Sequence, residues 1–188
     1  MTYFKQVFYA PNQITLLRLI LIPFVILAIL YQEYPTAFGL VLLGGISDGV
    51  DGMLARRLGQ QTALGTFLDP IADKLLLTSA FITLQVAGLI PLWLLILILS
   101  RDVLMLITAL VIILTTSLKN FPPSYVGKIS TMFQIATVLL TLLVQFEPVT
   151  WVHWLQNASI YVTAALTIAS GLHYTFRTAD RLRNIDRA

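Results

Sequence analysis

The chain has 188 residues, of which 57% are hydrophobic and 11% charged, with a formal net charge of +3. A soluble domain carries about 25% charged residues, so this composition excludes an ordinary soluble protein and predicts an integral membrane protein with several spans. There is no cysteine, which excludes disulfides, thiolate metal sites and a cysteine nucleophile.

The N-terminal segment MTYFKQVFYAPNQ has neither the short apolar core and cleavage site of a signal peptide nor the Arg- and Ser-rich character of a transit peptide. Residues 1–12 instead read as an interfacial segment. Tyr3, Phe4, Val7, Phe8 and Tyr9 around Lys5 form a short amphipathic, aromatic helix suited to the headgroup layer, or an aromatic belt ahead of the first span. Pro11 breaks it, and Asn12 stands where an N-cap belongs.

Six apolar runs follow, at roughly 13–31, 36–57, 62–88, 91–117, 127–146 and 151–176. At 1.5 Å per residue each is long enough to cross a hydrocarbon core of about 30 Å. The fold class expected is therefore all-α: a single polytopic domain over 1–188, with six transmembrane helices and a basic tail at 177–188. With the N-terminus in the cytoplasm, Lys5, Arg56, Arg57, Lys119, Lys128, Arg177, Arg181, Arg183 and Arg187 all fall on the cytoplasmic side, and no Lys or Arg falls on the other. Both termini are thus expected in the cytoplasm, in a multi-pass protein of the cell membrane, with the tail against anionic headgroups.

The segment Ser47–Lys74 places four aspartates, Asp48, Asp51, Asp69 and Asp73, in this apolar setting. An ionised carboxylate at the bilayer centre costs roughly 2.5–3.5 kcal/mol even on the lenient insertion scale, so four together demand a counter-charge. Asp48 and Asp51 are three apart and Asp69 and Asp73 four apart, so each pair shares a helix face. The topology puts both pairs in the cytoplasmic halves of neighbouring antiparallel spans. All-oxygen ligation suits Mg²⁺, Mn²⁺ or Ca²⁺ and not zinc. Four carboxylates match a two-metal site, and Mg²⁺ leaves positions open to a substrate phosphate. His153 and His173 lie in the sixth run, away from this cluster. Gly49, Gly52, Ala55 and Gly65 suit close helix packing or a bulky ligand. Arg56 and Arg57 suit phosphate oxygens or positive-inside anchoring. Lys74 suits a carboxylate or a lipid phosphate. Arg18, well inside the first span, is expected to meet the aspartate cluster or a phosphate.

The spacing Asp48-x2-Asp51-Gly52-x2-Ala55-Arg56-x8-Gly65-x3-Asp69-x3-Asp73 resembles the signature of the CDP-alcohol phosphotransferases, and eight fixed residues make that a specific match. PNQITLLRL ahead of the first span and Gly127-Lys128-Ile129-Ser130-Thr131 with Gln134 extend the resemblance over most of the chain. The resemblance implies a six-helix homodimer with a site open to cytoplasm and bilayer. It implies that Asp48, Asp51, Asp69 and Asp73 bind two divalent ions, Mg²⁺ or Mn²⁺, with Asp73 also the general base. Gly52, Ala55, Arg56 and Gly65 would line a CDP pocket, joined by Thr62. An acceptor hydroxyl would attack the β-phosphate of a CDP-linked lipid and release CMP.

Two subfamilies are nearest: the CMP-forming cardiolipin synthases, whose acceptor is phosphatidylglycerol, and the enzymes that use glycerol 3-phosphate. The latter show an Ala-Arg-Glu-Ile pattern in span 4 with a second arginine eight positions after the first. Here the segment is Ser100-Arg101-Asp102-Val103, and Ala109 stands in the second position. A small dianion needs two or three cations. A lipid phosphodiester carries one charge, which Arg101 and Lys128 can meet. Arg101 and Asp102 are adjacent, and adjacent helical residues do not face each other, so a pair between them is not expected and Arg101 is assigned to the acceptor. The balance favours cardiolipin synthase. An ion-coupled transporter is the reading from another class, disfavoured because the chain shows no inverted repeat and its aspartates lie toward one side.

Overall fold

The computed structural model describes residues 10–58, 63–115 and 125–185. Among these residues there are six α-helices and no strand: α1 Ala10–Leu30, α2 Tyr34–Leu58, α3 Ala63–Val86, α4 Leu92–Thr115, α5 Tyr125–Phe146 and α6 Thr150–Ile185. Each of the six apolar runs is one helix, with ends within a few residues of those expected except at the C-terminus.

Backbone chemistry sets the ends. Gln32 takes a left-handed φ of 63° and Gly88 one of 75°. At the first, Gln32 N–H bonds the Ile29 carbonyl at 3.1 Å and Glu33 N–H the Ala28 carbonyl at 2.8 Å. At the second, Gly88 N–H bonds Gln85 and Leu89 N–H bonds Leu84, each at 2.9 Å. Both are Schellman closures, which satisfy the last carbonyls of a helix and reverse the chain in very few residues.

Two boundaries differ from expectation. α1 already includes Pro11 and Asn12, so Asn12 is not an N-cap. Proline is tolerated in a first turn because its missing N–H has no intrahelical partner there. α6 runs for 36 residues to Ile185, so the basic segment from 177 continues the last helix. It contains neither proline nor glycine to stop it. Residues 1–9, which hold most of the expected interfacial segment, lie outside the described residues.

The helices pack as α1 on α2 and α3, α5 on α6, α4 on α6, and α2 on α5, with narrower contacts from α3 to α2, α4 and α5. The core includes Val25, Ile29, Val41, Phe81, Leu84, Leu94, Ile98, Val138, Leu142 and Ile160. Phe38 of α2 meets Phe146 of α5 edge to face, with ring centroids 5.7 Å apart. Gly44 of α2 permits a close approach to α3: a Cβ there would lie 2.7 Å from Leu76 Cδ2.

Polarity is distributed the opposite way from a water-soluble bundle. Leu17, Ile20, Phe24, Leu43, Val86, Ile96, Leu106 and Met132 are exposed, whereas Thr15, Arg18, Ser130, Gln134, Thr137, Thr141, Thr163 and Ser170 are buried. Polar side chains thus join helices, as Thr137 and Thr163 do through a 2.8 Å hydroxyl contact between α5 and α6. Among the described residues, Tyr125–Phe146 is long and apolar enough to cross a membrane, and Thr15–Leu30 and Tyr34–Ser47 are shorter apolar segments.

Candidate active site

Helix register first decides where the aspartates stand. Asp48 and Asp51 occupy successive turns near the C-terminal end of α2, and Asp69 and Asp73 successive turns in the N-terminal half of α3. Gly52, Ala55 and Arg56 follow on α2, and Gly65 precedes on α3. The side chains of Asp48, Asp51, Ala55, Arg56 and Asp69 lie outside the described residues, as does Thr62 altogether.

Asp73 is the member of the quartet whose side chain is described. It lines a cavity of about 250 Å³ together with Lys74 of α3, Gly44 and Gly45 of α2, Arg101 and Asp102 of α4, and Thr131 and Gln134 of α5. Apart from Thr78, the rest of the wall is apolar, with Val41, Leu76, Leu77, Phe81, Ile98 and Ile135 among its residues. The cavity therefore brings together the helices of both aspartate pairs, Arg101 of α4 and the polar segment of α5.

Arg18 reaches this site from α1. Its side chain is 1% exposed and its Nη1 forms an ion pair with Asp73 Oδ1, whose own side chain is 41% exposed. The expectation that Arg18 meets the cluster is thus met at Asp73. An arginine that holds a carboxylate by one edge fixes its orientation.

On the other side of the cavity, Lys74 Nζ lies 2.7 Å from Asp102 Oδ1, and Arg101 Nη1 lies 2.9 Å from the same oxygen. The second contact corrects the expectation that Arg101 and Asp102 do not pair. Adjacent residues diverge at Cβ, but a long guanidinium stem can fold back when its far end is tied, and Arg101 Nη2 donates to Ser170 Oγ of α6 at 2.8 Å. Lys74 has the carboxylate partner that was one of its two expected roles. Asp102 and Ser170 carry no motif of their own. Asp102 was legible only as a neighbour of Arg101, and Ser170 only as a small polar residue in an apolar run.

Arg101 lines the cavity as the acceptor assignment requires. Lys128 does not: it is exposed in the first turn of α5, one turn before Thr131. His153 and His173 are both exposed on α6.

The donor chemistry suits hard divalent cations. Among the described residues no three His, Cys, Asp or Glu side chains gather, but the described carboxylate, Asp73, fronts a cavity. Two of the four helices that wall this cavity, α2 and α3, carry the other three aspartates at helical spacing. Oxygen ligands from carboxylates are the set that Mg²⁺ and Mn²⁺ take.

An all-helical chain with aspartates in pairs on two helices and a cationic recess beside them has the parts of a phosphate-transferring site. The chain belongs to the CDP-alcohol phosphatidyltransferase family, whose model matches residues 8–169. It is 35% identical over 175 residues to a Mycobacterium tuberculosis protein named "Probable phosphatidylglycerophosphate synthase", covering 88% of this chain and 79% of that one. It is 33% identical over 193 residues to the CDP-diacylglycerol–glycerol-3-phosphate 3-phosphatidyltransferase of Bacillus subtilis, covering 94% and 98%. It is 36% identical over 149 residues to the CMP-forming cardiolipin synthase of Rattus norvegicus, covering 70% of this chain and 49% of that one. Family membership disposes of the transporter reading. Relatives of both names stand at similar identity, so the acceptor must be argued from the site.

Proposed function

We propose that this chain is a phospholipid-synthesising enzyme that transfers a phosphatidyl group from CDP-diacylglycerol to phosphatidylglycerol, giving cardiolipin and CMP. The observation that carries the acceptor assignment is the character of the cavity. Its wall is mainly apolar, its cations are Lys74 and Arg101, and Asp102 contacts both. Such a recess suits a phosphodiester with acyl chains better than a small dianion.

Asp48, Asp51, Asp69 and Asp73 would hold two Mg²⁺ or Mn²⁺ ions. When bound, these supply charge neutralisation at the transferring and leaving phosphates. Asp73 accepts the proton of the acceptor hydroxyl as its oxygen bonds to the β-phosphorus and the bond from that phosphorus to CMP breaks. Arg18 orients the Asp73 carboxylate. Gly52, Ala55, Arg56, Thr62 and Gly65 hold the CDP moiety, and Arg101, aided by Lys128 near the surface, meets the acceptor phosphate.

All six helices are read as transmembrane, in one domain over 1–188 with both termini and the site on the cytoplasmic side of the cell membrane. Their lengths, 21 to 36 residues, their apolar exposed faces and the one-sided distribution of Lys and Arg support this. A homodimer is proposed on the resemblance alone.

The second reading keeps the chemistry and takes glycerol 3-phosphate as acceptor. It is favoured by the near full-length match to the B. subtilis enzyme of that name. Assays with purified protein, CDP-diacylglycerol and each acceptor in turn separate the two. Cardiolipin as product supports the first reading, and phosphatidylglycerolphosphate as main product overturns it.

A further inference from the structure

Among the described residues, four ionisable side chains line the cavity: Asp73, Lys74, Arg101 and Asp102. Asp73 is paired with Arg18. The other three form a separate group in which a single atom, Asp102 Oδ1, accepts from both cations, at 2.7 Å from Lys74 Nζ and 2.9 Å from Arg101 Nη1. Two cations and one carboxylate leave one net positive charge. The group is built rather than incidental. It joins α3 to α4 and, through Ser170, to α6.

The cavity also has donors to spare. Arg101 Nε and Gln134 Nε2 are buried with no hydrogen-bond partner, and both residues line the wall. Buried donors without partners are costly, and these two have no acceptor oxygen within reach. A phosphate oxygen supplies one.

We propose that Asp102 is a specificity-determining residue: by neutralising one of the two cations, it tunes the recess to an acceptor phosphate carrying one negative charge and disfavours one carrying two. A phosphodiester satisfies the single net charge and the spare donors of Arg101 and Gln134. A phosphate monoester dianion brings a second charge that finds no counter-charge in the described wall and meets the Asp102 carboxylate instead. In a partly desolvated recess that mismatch is expensive. The inference rests on the reading that the acceptor phosphate enters this cavity, but not on which acceptor the wild-type chain prefers.

The test measures kcat/KM of the purified full chain for phosphatidylglycerol and for glycerol 3-phosphate, with CDP-diacylglycerol as donor, and takes the ratio. Where turnover with one acceptor is too slow, its Ki against the other serves. Asp102→Asn should move the ratio about tenfold toward glycerol 3-phosphate, mainly through KM, as one added unit of charge in a screened site implies. Lys74→Gln should move it the opposite way by a similar factor. The double variant Lys74→Gln/Asp102→Asn restores the net charge and should return the ratio to within about threefold of wild type. The aspartates on α2 and α3 are unchanged in every variant, so their contribution cancels in the comparison. Equal losses with both acceptors in Asp102→Asn, with no change of ratio, would show a purely structural residue and overturn the proposal. If Asp102→Asn does not fold, Lys74→Gln decides alone: an unchanged ratio overturns it. A wild-type preference for glycerol 3-phosphate would sink the cardiolipin reading and leave this test standing, because the predicted shifts are relative.

Discussion

Arg18 and Asp73 show how a costly charge is made useful. A guanidinium 1% exposed inside an apolar helix is tolerable only when paired, and its partner is a carboxylate 41% exposed to the cavity. The pair is therefore asymmetric, with a buried cation and an accessible carboxylate. Replacing Arg18 by Gln should destabilise the protein by about 2 kcal/mol, below the 3–5 kcal/mol of breaking a fully buried pair because Asp73 is partly exposed. Thermal unfolding in detergent measures it, and Arg18→Lys should recover part of the loss. Asp73→Asn keeps the shape of the side chain but cannot take a proton, and should lower CMP release about 10²–10⁴-fold. Release at the wild-type rate would remove Asp73 from the chemistry. At this scale the charged residues that the structure gathers at the cavity, Arg18, Asp73, Lys74 and Arg101, were legible as candidates, because an apolar chain makes every charge conspicuous. The Arg101–Asp102 contact was not legible. Sequence separation predicts where Cβ atoms point, not where a five-bond side chain ends once Lys74 and Ser170 tie its neighbours and its tip.

At the scale of the elements, polar seams hold apolar helices together. Between helices that face lipid, as we propose these do, there is no hydrophobic drive, and packing and interhelical hydrogen bonds decide association. Thr137 of α5 contacts Thr163 of α6 at 2.8 Å, so Thr137→Val, which preserves shape, should cost about 0.6 kcal/mol, the average for such bonds. A loss above about 2 kcal/mol in an unfolding titration would mean that the seam does more than bridge two helices. The six helices were legible because each apolar run is long and the breaks between them are short. Their ends were less so. Gln32 adopts a left-handed turn usually given to glycine, and α6 continues to Ile185 because a basic sequence with high helix propensity need not stop where the apolar run stops. Which helices touch was only partly legible. α2 and α3 are consecutive, yet α1 packs along both, and that is how Arg18 comes to serve Asp73.

At the scale of the molecule, many apolar side chains among the described residues face outward while Arg18, Arg101, Gln134 and several threonines turn inward, the arrangement expected of a solvent that is lipid. By our reading such an enzyme draws both its donor and its acceptor laterally from the bilayer while polar chemistry proceeds in a recess. Carboxylates that ligate hard cations lose function with those cations. Chelation of divalent ions should therefore abolish CMP release, and Mg²⁺ or Mn²⁺ should restore it. Activity that persists after exhaustive chelation would contradict a metal-dependent site. The central claim is tested most directly by supplying the purified protein with CDP-diacylglycerol, Mg²⁺ and phosphatidylglycerol, and identifying both products by mass. The account predicts cardiolipin and CMP in equal amounts. Absence of CMP with this acceptor, while phosphatidylglycerolphosphate forms from glycerol 3-phosphate, would contradict it.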